Sequence, residues 1–162
     1  ISNIIEKTVS SCRKLASRAR KKIKTDGVLS KTNKKEHLQI VSAFYDAVIN
    51  GELQKLRSLL RDDVLLTSDG GGKATAALDI LQGLDDVASF LLEVVSPNFA
   101  GKDQAITSNT MNWFNGSPGF VIWSNQKPVS AFNFQVEHHQ IIRINVLRNP
   151  DKLIFFRKDN LE

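Results

Sequence analysis

The sequence predicts an α+β protein: a cone of curved antiparallel sheet wrapped by helices, preceded by a helix-turn-helix fragment. Three observations predict it. Apolar residues recur with a helical period as far as Val94, then alternate or fall in short runs beyond Lys102, and helices followed by strands is α+β order. Turn-forming strings, Asn115-Gly116-Ser117-Pro118-Gly119 and Asn125-Gln126-Lys127-Pro128, divide the second half into strand-length pieces. Charge is unevenly spread: residues 1–35 hold eleven Lys and Arg against two acids, Glu6 and Asp26, a net of +9, whereas the remainder nets −4. A basic appendage on a mildly acidic domain points to an anionic partner for the appendage alone.

Composition narrows the classes further. Hydrophobic residues make up 41% of the 162, enough for a real core and too many for wholesale disorder. No apolar run approaches the roughly 20 residues needed to span a bilayer, and no signal peptide is visible, so no membrane role is expected. The single cysteine, Cys12, excludes an internal disulfide framework, fits a cytoplasmic protein and falls on an apolar helix stripe, where packing is its expected role. The chain starts on Ile1 rather than Met, and residues 158–162 read as a tail whose Leu161-Glu162 resembles an expression remnant.

Residues 1–24 form the basic piece. Val9, Cys12, Leu15, Ala16, Ala19 and Ile23 make one helical face, and Arg13, Lys14, Arg18, Arg20, Lys21, Lys22 and Lys24 occupy much of the rest. Thr8 is an N-cap and Asp26-Gly27 a stop signal. Ile1, Ile4 and Ile5, followed by Glu6-Lys7, complete the outline of a helix-turn-helix whose second helix enters a major groove. Spacing alone leaves a solvated or membrane-surface helix equally open.

Residues 25–34 read as a linker. In residues 35–157, Asn33 and Glu36 have capping-box spacing ahead of a helix carrying Leu38, Val41, Tyr45 and Val48, which Asn50-Gly51 ends. Leu53, Leu56, Leu59 and Leu60 mark a second helix, and Val64-Leu65-Leu66 a brief strand. Gly83, Asp85 and Asp86 open a third helix, since acids favour its positive end, and Ser96-Pro97 closes it. Strands are expected near 104–114, 119–124, 128–138 and 141–148.

Two strings stand out: Asp69-Gly70-Gly71-Gly72-Lys73 and Asn149-Pro150-Asp151-Lys152-Leu153. The first is not a phosphate-binding P-loop, because Ala74 rather than Ser or Thr follows Lys73 and the pattern's first glycine would fall on Thr67. Taken separately, each is an ordinary turn. Asn115-Gly116-Ser117 matches a glycosylation acceptor by chance. Catalytic candidates are thin: Asp103 and Glu137 at strand ends, His138 and His139 beside a hairpin, and His37, expected to be exposed at a helix start. No catalytic residue, cofactor or metal-ligand cluster is assigned. An aromatic-lined cavity is expected at Trp113, Phe114, Trp123, Phe132 and Phe134, open to an unknown small-molecule ligand.

The stretch from Ile1 to Ile23, with its capped helix and its Arg18-Ala19-Arg20 run, resembles the end of region 4 of extracytoplasmic-function RNA polymerase sigma factors. That family often has Gly in the turn where this chain has Glu6. The order of elements in the main domain resembles the SnoaL-like and nuclear-transport-factor-2-like superfamily, which holds polyketide cyclases, ketosteroid isomerases and many non-enzymatic modules. The two strings, with Asn115-Gly116-Ser117-Pro118-Gly119 and Val146-Leu147-Arg148, are similar to the SnoaL-like extension of one group of these sigma factors. The resemblance implies a promoter-specific transcription initiation factor controlled in cis by its own extension. Its partners would be core RNA polymerase, the upstream element of promoter DNA and, within the protein, sigma regions missing from this chain. It also implies that Arg13 and Lys14 lie near base edges and that Arg18, Arg20 and Lys21 lie near phosphates. A regulatory interface facing the sigma core would comprise Asp69, Gly70, Gly71, Gly72, Lys73, Asn149, Pro150, Asp151, Lys152 and Leu153. The alternative is a small-molecule-binding or isomerase-type SnoaL-like protein.

Overall fold

The computed structural model describes residues 8–26, 34–74, 76–77, 79–95, 108–114 and 116–156, in two compact units, residues 1–32 and 33–162. In the first unit α1 runs Val9–Asp26. Thr8 caps it, its Oγ1 accepting the Ser11 N–H at 3.2 Å, as the sequence predicts. Cys12 is half-buried on this helix. Residues 1–7, expected to supply the first helix and turn of the helix-turn-helix, lie outside the described residues, as do most of the linker, the Asn33 cap and Ser96-Pro97.

In the second unit, α2 (Lys34–Ile49) and α3 (Leu53–Leu59) lead into β1 (Leu60–Asp69). After β2 (Leu81–Gln82) comes α4 (Leu84–Phe90), which begins with Asp85 and Asp86 in its first turn and passes into a π-helical turn, Leu91–Val95. Strands β3 (Ser108–Phe114), β4 (Ser117–Ser124), β5 (Lys127–Glu137) and β6 (Gln140–Leu147) follow, then a single turn of helix, α5 (Pro150–Leu153). Among the described residues these strands form one sheet in the order β2-β1-β6-β5-β4-β3. Every pairing is antiparallel except β1 with β6, which is parallel. Register shifts at Leu60/Leu65, Ile122/Trp123 and Gln135/Val136 bend and twist the strands, the local source of curvature in such a sheet.

Strand β2 was not expected, and two other elements differ from expectation. The brief strand at Val64-Leu65-Leu66 is ten residues long, and it begins on Leu60, which the helical period had placed in α3. Asn149-Pro150-Asp151 is a helix start rather than a plain turn: Asn149 Oδ1 accepts the Asp151 N–H at 3.0 Å, and Pro150 occupies the first helical position, where no N–H is needed. The hairpins turn where expected. Asn125 and Gln126 have φ of 47° and 65°, and His138 and His139 have 47° and 66°, the paired positive values of tight two-residue hairpins.

One face of the sheet packs on α2, α3 and α4. Val41, Phe44, Ala47 and Val48 of α2 meet Leu56, Val87 and Leu91, and beneath them lie Leu66, Phe120, Phe132, Phe134 and Ile144. Phe44 meets Phe134 edge-on at 4.8 Å, Tyr45 meets Phe120 at 5.3 Å, and Phe120 stacks on Phe132 at 4.7 Å. Each phenylalanine fully buried here contributes about 1.5–3 kcal/mol from apolar area alone. A smaller cluster, Val121, Trp123, Ala131 and Leu153, occupies the other face.

Candidate functional site

On α1, Arg13, Lys14, Arg18 and Arg20 are exposed, while the Lys21 side chain lies outside the described residues. Two members of its apolar stripe, Val9 and Leu15, are 55% and 45% exposed. The helix therefore presents a cationic surface and an apolar stripe together.

The two glycine- and proline-bearing strings meet at one end of the sheet. Because β1 and β6 run parallel, with Asp69 opposite Leu147, the loops leaving both strands emerge side by side. The Asp69 carbonyl accepts the N–H groups of Arg148 and Asn149 at 2.7 and 2.9 Å. Lys73 Nζ lies 2.9 and 2.6 Å from the two Asp151 oxygens, and Lys152 Nζ lies 2.6 Å from Asp69 Oδ2. The pairs are crossed: each loop supplies one acid and one base, and the four charges cancel. Asp69 Oδ1 also accepts the Gly71 N–H at 2.9 Å, which closes the glycine turn over its own carboxylate. The Lys152 hydrogen bond holds the Asp69 carboxyl below its ordinary value; partial desolvation opposes this and the Gly71 N–H reinforces it. Exposed ion pairs of this kind stabilise little and are screened by salt, so they orient the loops more than they hold them.

Sterics explain the glycines. Gly71 has φ +61°, and a Cβ there would fall 2.3 Å from Asn149 Nδ2. A Cβ on Gly70 would fall 2.1 Å from the Ala74 carbonyl oxygen. Pro150 starts α5, and Leu153, 3% exposed, anchors that turn against Trp123 and Ala131. All ten residues named for this interface thus lie together, with Leu153 directed into the protein and the four charged side chains outward.

Beside this clasp is a cleft of about 580 Å³. Of the residues named for it, Phe114 turns its ring toward it; Trp113 and Phe132 border it but turn their rings to the helix side, against His37 and Phe120, and Trp123 and Phe134 do not border it. Trp123 is buried beneath Leu153 and donates its indole N–H to Thr110 Oγ1 at 3.0 Å; Phe134 faces the helices. Sequence reasoning overlooked Thr67, Asn133 and Asn145, which also line the cleft. The signal was available for Asn133 and Asn145, polar residues in the middle of expected strands, whereas Thr67 lay just beyond the expected end of its strand.

None of the described catalytic candidates lines the cleft. His37 is 5% exposed, contrary to its expected exposure, because Trp113 stacks on it at 6.4 Å with Lys34 Nζ 5.3 Å from the indole centroid. His139 Nδ1 lies 2.8 Å from Glu36 Oε1. Glu137 accepts from Arg61 at 3.4 Å and from Gln135 at 3.2 Å. Asp103 lies outside the described residues. Among the described residues no three His, Cys, Asp or Glu side chains gather as a metal site, and no helix is long and apolar enough to cross a membrane.

No protein-family model matches the chain. Over 159 residues, 94% of its length, it is 28% identical to an ECF RNA polymerase sigma factor, SigJ, of Mycobacterium tuberculosis, and it covers 50% of that protein. The crystal structure of that factor superposes with a TM-score of 0.59 at 26% identity, over 93% of this chain and 52% of the other. The chain thus spans about half the length of the relative it matches. An NTF2-like protein from Burkholderia xenovorans LB400 superposes with a TM-score of 0.50 at 14% identity, over 75% of this chain and 95% of that one, a likeness of fold alone. Over nearly its whole length the chain is thus similar to an extracytoplasmic-function RNA polymerase sigma factor, and its main domain has the SnoaL-like, nuclear-transport-factor-2-like fold that the order of its elements leads one to expect.

Proposed function

We propose that this chain is the promoter-reading end of a sigma factor joined to a domain that regulates it in cis, acting in the cytoplasm with core RNA polymerase and without catalysis of its own. One observation carries the reading: the similarity to a sigma factor spans 94% of the chain and so takes in the basic helix as well as the domain. A match confined to the domain would speak only of a fold shared by many functions. In this reading α1 enters the major groove of the upstream promoter element, Arg13 and Lys14 toward base edges and Arg18, Arg20 and Lys21 toward phosphates. The clasp of Asp69, Lys73, Asp151 and Lys152 offers a net-neutral polar surface to the sigma regions outside this chain. Such a surface favours specificity over tight association, which suits a contact that must form and release.

The test is promoter-specific transcription by core RNA polymerase with the full-length factor, with and without residues 35–162. A change on deletion, in either direction, supports regulation in cis. Equal transcription from both forms removes the regulatory role. Silence from both, on a promoter that responds in cells, removes the sigma-factor role and reopens the small-molecule or isomerase reading.

A further inference from the structure

The cleft beside the clasp lies on the sheet face turned away from α2, α3 and α4. Its floor is a row of directly opposed residues: Thr67 on β1 faces Asn145 on β6, Asn145 faces Asn133 on β5, and Asn133 faces Gly119 on β4. Opposed residues share a face, so three polar side chains and one empty position run across the middle of the sheet. Thr67 Oγ1 donates to Asn145 Oδ1 at 2.7 Å. The remaining bonds are long: Asn145 Nδ2 to Asn133 Oδ1 at 3.4 Å, and Asn133 Nδ2 to the Phe114 and Pro118 carbonyls at 3.4 and 3.5 Å. A carboxamide carries two N–H donors and two acceptor lone pairs. Among the bonds of the described residues, Asn145 keeps one N–H and Asn133 one lone pair, a donor beside an acceptor at the cleft floor.

The walls are aromatic. Phe114 lies over Gly119, where a Cβ would fall 2.6 Å from the ring, and Phe156 meets Phe114 edge-on at 5.6 Å. The ionisable residue among those lining the cleft is Asp69, whose carboxylate is already taken by Lys152 and by the Gly71 N–H. Among the described residues lining it, no uncompensated charge therefore faces the space. Its 580 Å³ falls within the roughly 300–1,000 Å³ of small-molecule sites and far exceeds the about 30 Å³ of a single water.

We propose that this cleft is a binding site for an uncharged, flat ring compound bearing an amide-like edge, the ring packed against the Phe114–Phe156 pair and the edge paired with Asn133 and Asn145. Asp69 belongs both to the cleft and to the clasp, and Phe156, which donates its N–H to the Leu153 carbonyl, follows α5 directly, so an occupant touches both segments assigned above to regulation. It would act there only to the extent that it binds two states of the clasp unequally. The site is read from this domain alone and stands whether or not the sigma-factor reading does.

Benzamide is the probe, titrated into the ¹⁵N-labelled chain while the side-chain amide resonances of Asn133 and Asn145 are followed by NMR. Toluene has the ring without the edge, and benzoate carries a charge. Benzamide should shift both amides saturably, with a dissociation constant on the order of 1 mM for so small a ligand. Toluene and benzoate should each bind about tenfold more weakly. In Asn145→Leu the benzamide affinity should fall about tenfold while toluene binding persists, which shows that the cleft is still formed. Thr67→Val, which removes only the hydroxyl orienting the Asn145 carboxamide, gives the same reading if that variant does not fold. Absence of saturable shifts, shifts centred on the helix-side core, or equal affinities for benzamide and toluene would each overturn the proposal.

Discussion

Gly71→Ala tests whether the clasp is built by close approach or merely decorated by charge. Gly71 has φ +61°, a conformation that costs an L-residue about 1–2 kcal/mol. The new methyl would also stand 2.3, 2.4 and 2.8 Å from three atoms of the Asn149 carboxamide. Asn149 must therefore swing away, which breaks its bond to the Asp151 N–H and removes the cap of α5, a loss of about 1 kcal/mol. The sum is about 2–3 kcal/mol, or roughly 10 °C in melting temperature for a domain of this size. Gly72→Ala is the internal control: φ is +69° but no atom lies within 4 Å of the added Cβ, so only the backbone cost of about 1–2 kcal/mol applies. Urea and thermal unfolding followed by circular dichroism would measure both. In a double-mutant cycle, Asn149→Ala should cost little more once Gly71 is alanine, because the cap is already lost. Equal destabilisation by the two glycine variants, or strict additivity with Asn149→Ala, would show that Asn149 does not depend on the gap at Gly71.

Two further outcomes follow from the charges. The Asp69 carboxyl titrates below its ordinary value of about 3.9 chiefly through the Lys152 hydrogen bond, so its contribution is present above that value and is lost as pH falls through the lower, folded one. Asp69→Asn should therefore flatten the acid limb of a stability-versus-pH curve below about pH 4, modestly and less so in high salt; an unchanged limb would place the sensitivity elsewhere. In the full-length factor, Arg18→Ala with Arg20→Ala should reduce the slope of log affinity for promoter DNA against log salt by about 0.9 for each phosphate no longer neutralised. A salt titration by fluorescence anisotropy that shows no change of slope would remove these two side chains from the DNA backbone.

What local chemistry decides was legible in this sequence. Thr8 caps α1 because a hydroxyl and a free N–H three residues away suffice. Asn125-Gln126 turns a hairpin, and Asp85-Asp86 begins a helix, for reasons contained within a few residues. The two unusual strings, too, were visible as strings. Their meeting was not, because it depends on the parallel pairing of β1 with β6, which joins segments 78 to 83 residues apart. Periodicity shows that a strand exists but not which strand it joins. It also cut β1 to three residues, since Arg61, Asp62 and Asp63 interrupt the apolar pattern where the strand runs through an irregularity between its pairings at Leu60 and Leu65. Tertiary packing alone buried His37, by setting Trp113 against it, and it alone turned Trp123 and Phe134 away from the cleft. Composition and period thus determined the kinds of element, their order and the cationic helix. Only the long-range register of the sheet decided which residues, from which strands, would stand together, because a one-position change in that register moves every side chain of a strand to the opposite face.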